Sequence, residues 1–148
     1  MTGPGELNLI KLCVGIDKPE ELRRWIAYRL AQAAQSGRPA EYIHTTRMMP
    51  RRRAALLDGG SLYWVMKGFV QARQRLVDLR PVTDADGIPR CQVVLDRELV
   101  ATRPVPRRPF QGWRYLTSSD APADLPPGAA AEDIPDDMRR QLLELGLI

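Results

Sequence analysis

The residues best suited to chemistry in this chain are arginines and aromatic rings that alternate over short stretches. In Asp58–Leu79, DGGSLYWVMKGFVQARQRLVDL, the residues Tyr63, Trp64, Lys67, Gln71, Arg73 and Arg75 interleave rings with cations and an amide. In Pro106–Leu116, PRRPFQGWRYL, the residues Arg107, Arg108, Phe110, Gln111, Trp113, Arg114 and Tyr115 do so at higher density. A nucleic-acid surface uses this mixture, because cations neutralise phosphates and release counterions while flat rings stack unpaired bases at roughly 1–3 kcal/mol each. On this reading Arg47, Lys67, Arg73, Arg75, Arg107, Arg108 and Arg114 contact phosphate, Gln111 adds an amide, and Tyr63, Trp64 or Trp113 stacks a base. The competing reading makes the rings core and the arginines solvated. Strand alternation puts Tyr63, Val65 and Lys67 on one side and Trp64 and Met66 on the other, so only one side pairs a ring with a cation.

Other chemistry is thinly represented. Cys13 and Cys91 lie far apart in apolar, strand-like stretches, with no secretory signal, and read as buried free thiols. His44 is the single histidine and neither cysteine belongs to a CxxC pair, so no metal and no cofactor is expected. A Cys–His nucleophile is only one of the pairings any chain with one histidine permits. No Gly-rich phosphate loop, HExxH or GxSxG motif is present, and Asp58–Ser61 (DGGS) reads as a turn. If the protein is an enzyme, it acts on a phosphorylated or nucleotide substrate, with His44 or Asp58 as general base and arginines holding the phosphate.

The charge distribution favours a polyanionic partner. Residues 38–114 carry fifteen basic and seven acidic side chains, residues 1–37 five and four, and residues 115–148 two and seven. The formal net charge of +4 therefore averages a strongly basic middle and an acidic end. Nineteen of the 22 basic residues are arginine, whose planar fork suits bidentate phosphate contacts and stacking. GC-rich coding bias accounts for an arginine excess but not for its concentration in the middle.

These residues need elements to position them. With 148 residues, 44% hydrophobic and 27% charged, one globular core is expected. No apolar run approaches the roughly 18 residues of a membrane helix, and Met1–Glu6 lacks a signal-peptide pattern, so a soluble cytoplasmic protein without a membrane partner is expected. Leu7–Val14 reads as a largely buried strand, followed by a helix from an Asp17 cap and Pro19 to about Gln35, stopped by Gly37. Leu22, Trp25, Ile26, Arg29, Leu30 and Ala33 share one helix face, and Trp25 reads as core. Glu41–Arg47 alternates as a half-buried strand, leaving His44 either buried or exposed, and Pro50 opens a short helix holding Arg51, Arg52 and Arg53.

Ser61–Lys67 reads as an apolar strand. Phe69–Val82 reads as strand, with helix at its front through Gln74 as the alternative, and Asp84–Gly87 marks a hairpin returning through Cys91–Asp96. Glu98–Val105 continues extended, and Arg107–Leu116 reads as loop plus edge strand. The expected class is α+β: a mixed or antiparallel sheet with flanking helices and a C-terminal helix. Residues 1–116 form the domain, 117–134 a Pro/Ala-rich acidic linker, and 135–148 a helix striped by Met138, Leu142 and Leu145. That stripe makes a protein partner or a homo-oligomer an adaptor-type alternative, and the acidic end is a cover for the basic face when that face is empty.

LIKLCVGID, HTTRMMPRR, LLDGGSLYWVMKG, QARQRLVDL, DGIPRCQVVLD and RRPFQGWRYL together resemble the uncharacterised bacterial family named domain of unknown function 1489, over most of Leu7–Asp124. That family carries no established activity to transfer. The YWVMKG strand and the basic, mostly β segment after it are also similar to the PUA-like barrels of the ASCH and EVE groups, which implies a β-barrel binding RNA or a modified nucleotide.

Overall fold

The computed structural model describes residues 5–126. Seven strands and two helices follow the chain: β1 Leu7–Leu12, α1 Pro19–Gln35, β2 Tyr42–Thr46, α2 Arg53–Leu57, β3 Ser61–Met66, β4 Phe69–Thr83, β5 Pro89–Leu95, β6 Val100–Pro106 and β7 Trp113–Thr117. The strands form one sheet ordered β2-β5-β4-β3-β1-β7, with β6 attached to β4. Only β1 and β3 run parallel, joined by a crossover that carries α1, β2 and α2; every other pair is antiparallel. The sheet is mixed and the class is α+β. No ladder joins β2 to β7 among the described residues, so a closed barrel is not what the pairing describes. The connection between β2 and α2 is instead tied to β7 through side chains: Trp113 Nε1 donates to the Met48 carbonyl at 2.8 Å, and the Arg52 amide donates to Tyr115 Oη at 3.2 Å.

β4 organises the sheet because it is long and irregular. Its first half pairs with β3 and β6 and its second with β5, the register slipping near Gln71 and again at Val77. An extra residue in one strand sharpens the local twist, which lets a 15-residue strand turn from one set of partners to another. Gln71 also steadies the first slip, its amide donating to the Met66 carbonyl at 2.7 Å. The helical alternative for the front of this segment is excluded by these ladders. The β3–β4 connection is a two-residue turn in which Lys67 (φ 53°) and Gly68 (φ 85°) both take the left-handed conformation that matches hairpin twist. Lys67 thus belongs to the turn after β3, and not to the Ser61–Lys67 strand read from the sequence.

Both faces of the sheet are covered. On one, α1 and α2 pack over Leu7, Leu9, Leu62, Trp64, Met66, Ala72, Leu76, Leu79 and Val93. Helix α1 contributes buried Leu22, Ile26 and Ala33, and burying Leu22 and Ile26 stabilises by roughly 1.5–3 kcal/mol each. Trp25 is a correction: it is 46% exposed and stacks on exposed Tyr28 at 5.7 Å, because it falls at the margin of that helical stripe. The cap also shifts. Lys18 is the N-cap, without a side-chain hydrogen bond, and Pro19 fills the first turn where its missing amide costs nothing. On the other face Ile10, Tyr63, Val65, Val70 and Leu116 form a smaller core, closed by Leu12, Phe110 and Ala121.

Between α2 and β3, Gly60 passes so close to the backbone that a Cβ there would lie 2.3 Å from the Leu56 carbonyl oxygen and 2.5 Å from that of Leu7. Glycine is required at that crossing. Beside it Asn8 is fully buried, accepting the Ser61 amide at 2.9 Å and donating to the Gly5 carbonyl at 3.0 Å. The stretch read as starting a linker at 117 does not leave the domain at once. Arg103 and Leu125 donate backbone hydrogen bonds to Ala123 and Ala101, and Asp124 bridges to Thr102, so the chain is held against β6 through residue 125. The rest of the linker and the helix with Met138, Leu142 and Leu145 lie outside the described residues.

Candidate functional site

The arginines and rings singled out in the sequence separate in space into a buried set, an exposed set at one end of the sheet, and three residues that join neither. Tyr63 and Trp64 are buried at 0% and 2% exposure, which removes them as stacking platforms. Trp64 is part of the helix-side core, and its indole donates to Gln74 Oε1 at 2.8 Å while the Gln74 amide donates to the Asp96 carbonyl at 2.9 Å. Tyr63 fills the opposite core, and burial pushes its phenol up to about 12. Arg73, opposite Tyr63 on β4, is also buried and grips Asp124 with two hydrogen bonds of 2.7 and 2.8 Å while a third reaches Ser61 Oγ at 3.0 Å. Its guanidinium is structural. Periodicity could not reveal this, because Asp124 arrives from 51 residues away.

Lys67, Arg107, Arg108, Gln111 and Arg114 form the second group, at one end of the sheet. The Arg107 amide donates to the Gly68 carbonyl at 2.9 Å, which brings the 107–112 loop against the Lys67 turn. Phe110, half buried on the small core, carries the guanidinium carbons of both Arg107 and Arg114 at 5.4 Å from its ring centre. Arg114 is further held by the carbonyls of Gln111 and Trp113 at 2.7 and 3.1 Å. Among the described residues, none of these four cations forms an ion pair with a carboxylate. Phe110 was quoted in the sequence but not assigned a role, since nothing in the spacing of RRPFQGWR shows that two arginines fold back over one ring.

The remaining predicted residues lie elsewhere. Trp113 neighbours Arg114 on β7 and therefore faces the other side, half buried against the helix-side core and edge-on to Tyr115 at 4.9 Å. Arg75 is exposed at the end of β3–β4 remote from the Lys67 turn, opposite Ser61. Arg47 is exposed and lines a shallow groove of about 290 Å³ with Met49, Val82 and Arg90.

A further group was not assembled from sequence. Lys11 lies in register with Trp64 on β3 and Trp113 on β7, and alternation from buried Leu9 turns it to the helix side. His44 on β2 meets Trp64 edge-on at 5.2 Å, its Nε2 buried without a hydrogen-bond partner. Burial, then the charges of Lys11 and Arg29, press the imidazole down to about 4, so it is neutral at pH 7. Burial also lowers the Lys11 amine. Cys13, on the same side as Lys11, has its thiol pushed up to about 12, and that of Cys91 rises to about 11, both by burial. Both shifts favour the thiol over the thiolate at neutral pH, which weighs against a Cys–His nucleophile. Asp58, the other base considered, is exposed at the end of α2.

The fold thus defines a mixed α+β sheet domain with a basic loop at one end and a partly buried polar cluster inside its curvature. Its sequence matches, over residues 9–148, the model of a family described as Protein of unknown function (DUF1489), and the chain belongs to that family. No curated protein and no solved structure matches it. Among the described residues, no helix is long and apolar enough to cross a membrane.

Proposed function

We propose that the protein binds RNA, or a modified nucleotide within it, through the end of the sheet bearing Lys67, Arg107, Arg108, Gln111 and Arg114. The observation that carries the reading is the Arg107–Phe110–Arg114 cluster, two guanidinium groups ordered over one ring and free of carboxylate partners among the described residues. Guanidinium groups already laid against a ring lose less rotamer freedom when phosphates arrive than freely swinging side chains do. Gln111 supplies an exposed amide beside them, able to donate to and accept from a base edge. Neutral, half-buried His44 gives no comparable support to the enzyme reading.

Fluorescence anisotropy of a labelled single-stranded RNA, titrated with the full chain across a salt series, tests the proposal. Four engaged cations predict a log–log salt slope of about −3, from roughly −0.7 per neutralised phosphate. A slope near zero, or no binding at about 50 mM salt where this term is strong, overturns it.

A further inference from the structure

The inside of the sheet's curve carries a second set of groups that the basic loop does not use. Lys11, Arg29, Tyr42, His44, Trp64 and Trp113 come from β1, α1, β2, β3 and β7. Arg29 holds its guanidinium carbon 5.0 Å from the Tyr42 ring centre. Tyr42 and His44 point to the same side of β2, towards the Trp64 ring that His44 meets edge-on and that Lys11 neighbours in register. Arg29 over Tyr42 and Lys11 beside Trp64 thus each stand next to a ring that neighbours His44, and among the described residues neither forms an ion pair.

Positive charges near a half-buried neutral ring whose Nε2 is buried without a hydrogen-bond partner are unfavourable unless they are paired. A buried polar atom left unpaired costs about 1–3 kcal/mol. Burial first, and then the charges of Lys11 and Arg29, disfavour protonation of His44, so the imidazole does not gain a partner by charging. One type of ligand resolves both features. An oxyanion neutralises Lys11 and Arg29, and a polar hydrogen or oxygen of the same molecule satisfies His44 Nε2. Such a ligand is compact, since Trp64 at 2% exposure leaves no ring face open to it.

We propose that Lys11, Arg29 and His44 form a binding site for a small oxyanion-bearing molecule, a phosphate or a carboxylate, distinct from the RNA-binding end. Lys11 and Arg29 hold the anionic oxygens, His44 Nε2 takes the hydrogen bond, and Trp113 walls the side.

His44 is the single histidine of the chain, so its imidazole signals in NMR are unambiguous. The full chain at pH 7 is titrated with inorganic phosphate, with acetate, and with chloride at matched ionic strength. Saturable movement of the His44 ring signals by phosphate or by acetate, absent with chloride, supports the site and names the oxyanion. Lys11→Met, checked for folding by its amide spectrum, should weaken that saturation at least about tenfold, the loss of one charge-assisted hydrogen bond. Arg29→Gln, on the half-exposed side of α1, gives the same reading should Lys11→Met not fold. Signals that follow chloride equally, do not saturate, or respond identically in a folded variant overturn the proposal. RNA affinity in the salt-series assay should change by less than about twofold in both variants, since only exposed phosphate contacts set it, which keeps the two sites separable.

Discussion

The arm formed by the far half of β4 with β5 and the loop end formed by the Lys67 turn and residues 107–114 are both rich in arginine, yet they use it in opposite ways. On the arm, Arg53 reaches Asp78, Arg80 bridges Asp78 at 3.0 Å and Glu41 at 2.7 Å, and Arg90 reaches Asp84 at 2.8 Å. Each cation there has a carboxylate, whose acidity the pairing increases: the guanidinium of Arg80 lowers Glu41 and Asp78, and that of Arg90 lowers Asp84. At the loop end, Arg107 and Arg114 rest on Phe110 with only carbonyl partners recorded for Arg114. The difference teaches that arginine count is a poor guide to a binding face. Whether a carboxylate from another strand meets the cation decides whether it is available.

The comparison breaks most visibly at Arg73, the buried member of the paired class. Asp124→Ala leaves a guanidinium at 8% exposure with Ser61 as its remaining side-chain partner, and should cost about 3 kcal/mol in urea unfolding. The double change Arg73→Met with Asp124→Leu should recover most of that loss. A single-variant cost below about 0.5 kcal/mol, the ordinary surface value, means that the pair is not structural.

His44 extends the contrast to a group kept uncharged by burial. Its folded-state value near 4 lies below the ordinary 6.5, so the unfolded chain binds the proton first. Stability from this group is complete above about pH 6.5 and falls as pH drops towards 4, by at most about 3 kcal/mol in total, solvent screening of the half-buried ring reducing it. Carboxylates such as Asp78 and Asp84, held low, lose their contribution at lower pH still, so the His44 share is read by difference against His44→Gln. Parallel stability curves for the two proteins between pH 7 and 4 contradict the assignment.

Function sharpens the same division. Arg107→Ala with Arg108→Ala and Arg114→Ala should weaken RNA binding about 10- to 100-fold at low salt and flatten the salt slope by about 2. Arg80→Ala with Arg90→Ala removes as much charge per side chain but should change RNA affinity by less than about threefold, a long-range field effect only. Equal losses in the two variants would show that net charge, not the loop end, does the binding. The smallest effect belongs to Glu41→Gln, whose partly exposed pair with Arg80 is worth under about 1 kcal/mol by thermal melt.

Much of the architecture was legible because it depends on local pattern. The dense apolar run at Leu7–Leu12, alternation in Tyr42–Thr46, proline and glycine at the bounds of α1, and the Asp84–Gly87 turn all mark elements present in the fold. Phe69–Val82 is strand because the Asp84–Gly87 hairpin returns the chain as β5, its antiparallel partner. The candidate site was legible only in part. Residues 107–114 were visible as a basic, aromatic stretch, whereas Tyr63, Trp64 and Arg73 carried the same signature and went into the interior.

Sequence alone determined the family, the α+β class and the basic character of the middle of the chain, because composition, periodicity and long motifs do not depend on distant neighbours. Tertiary structure alone decided which rings became core, which arginines met carboxylates, and that Lys11, Arg29 and His44 share one side of a curved sheet. The physical reason is range. Secondary structure follows from spacings of two to four residues, but desolvation and charge pairing are set by whatever arrives from tens of residues away, as Asp124 does at Arg73.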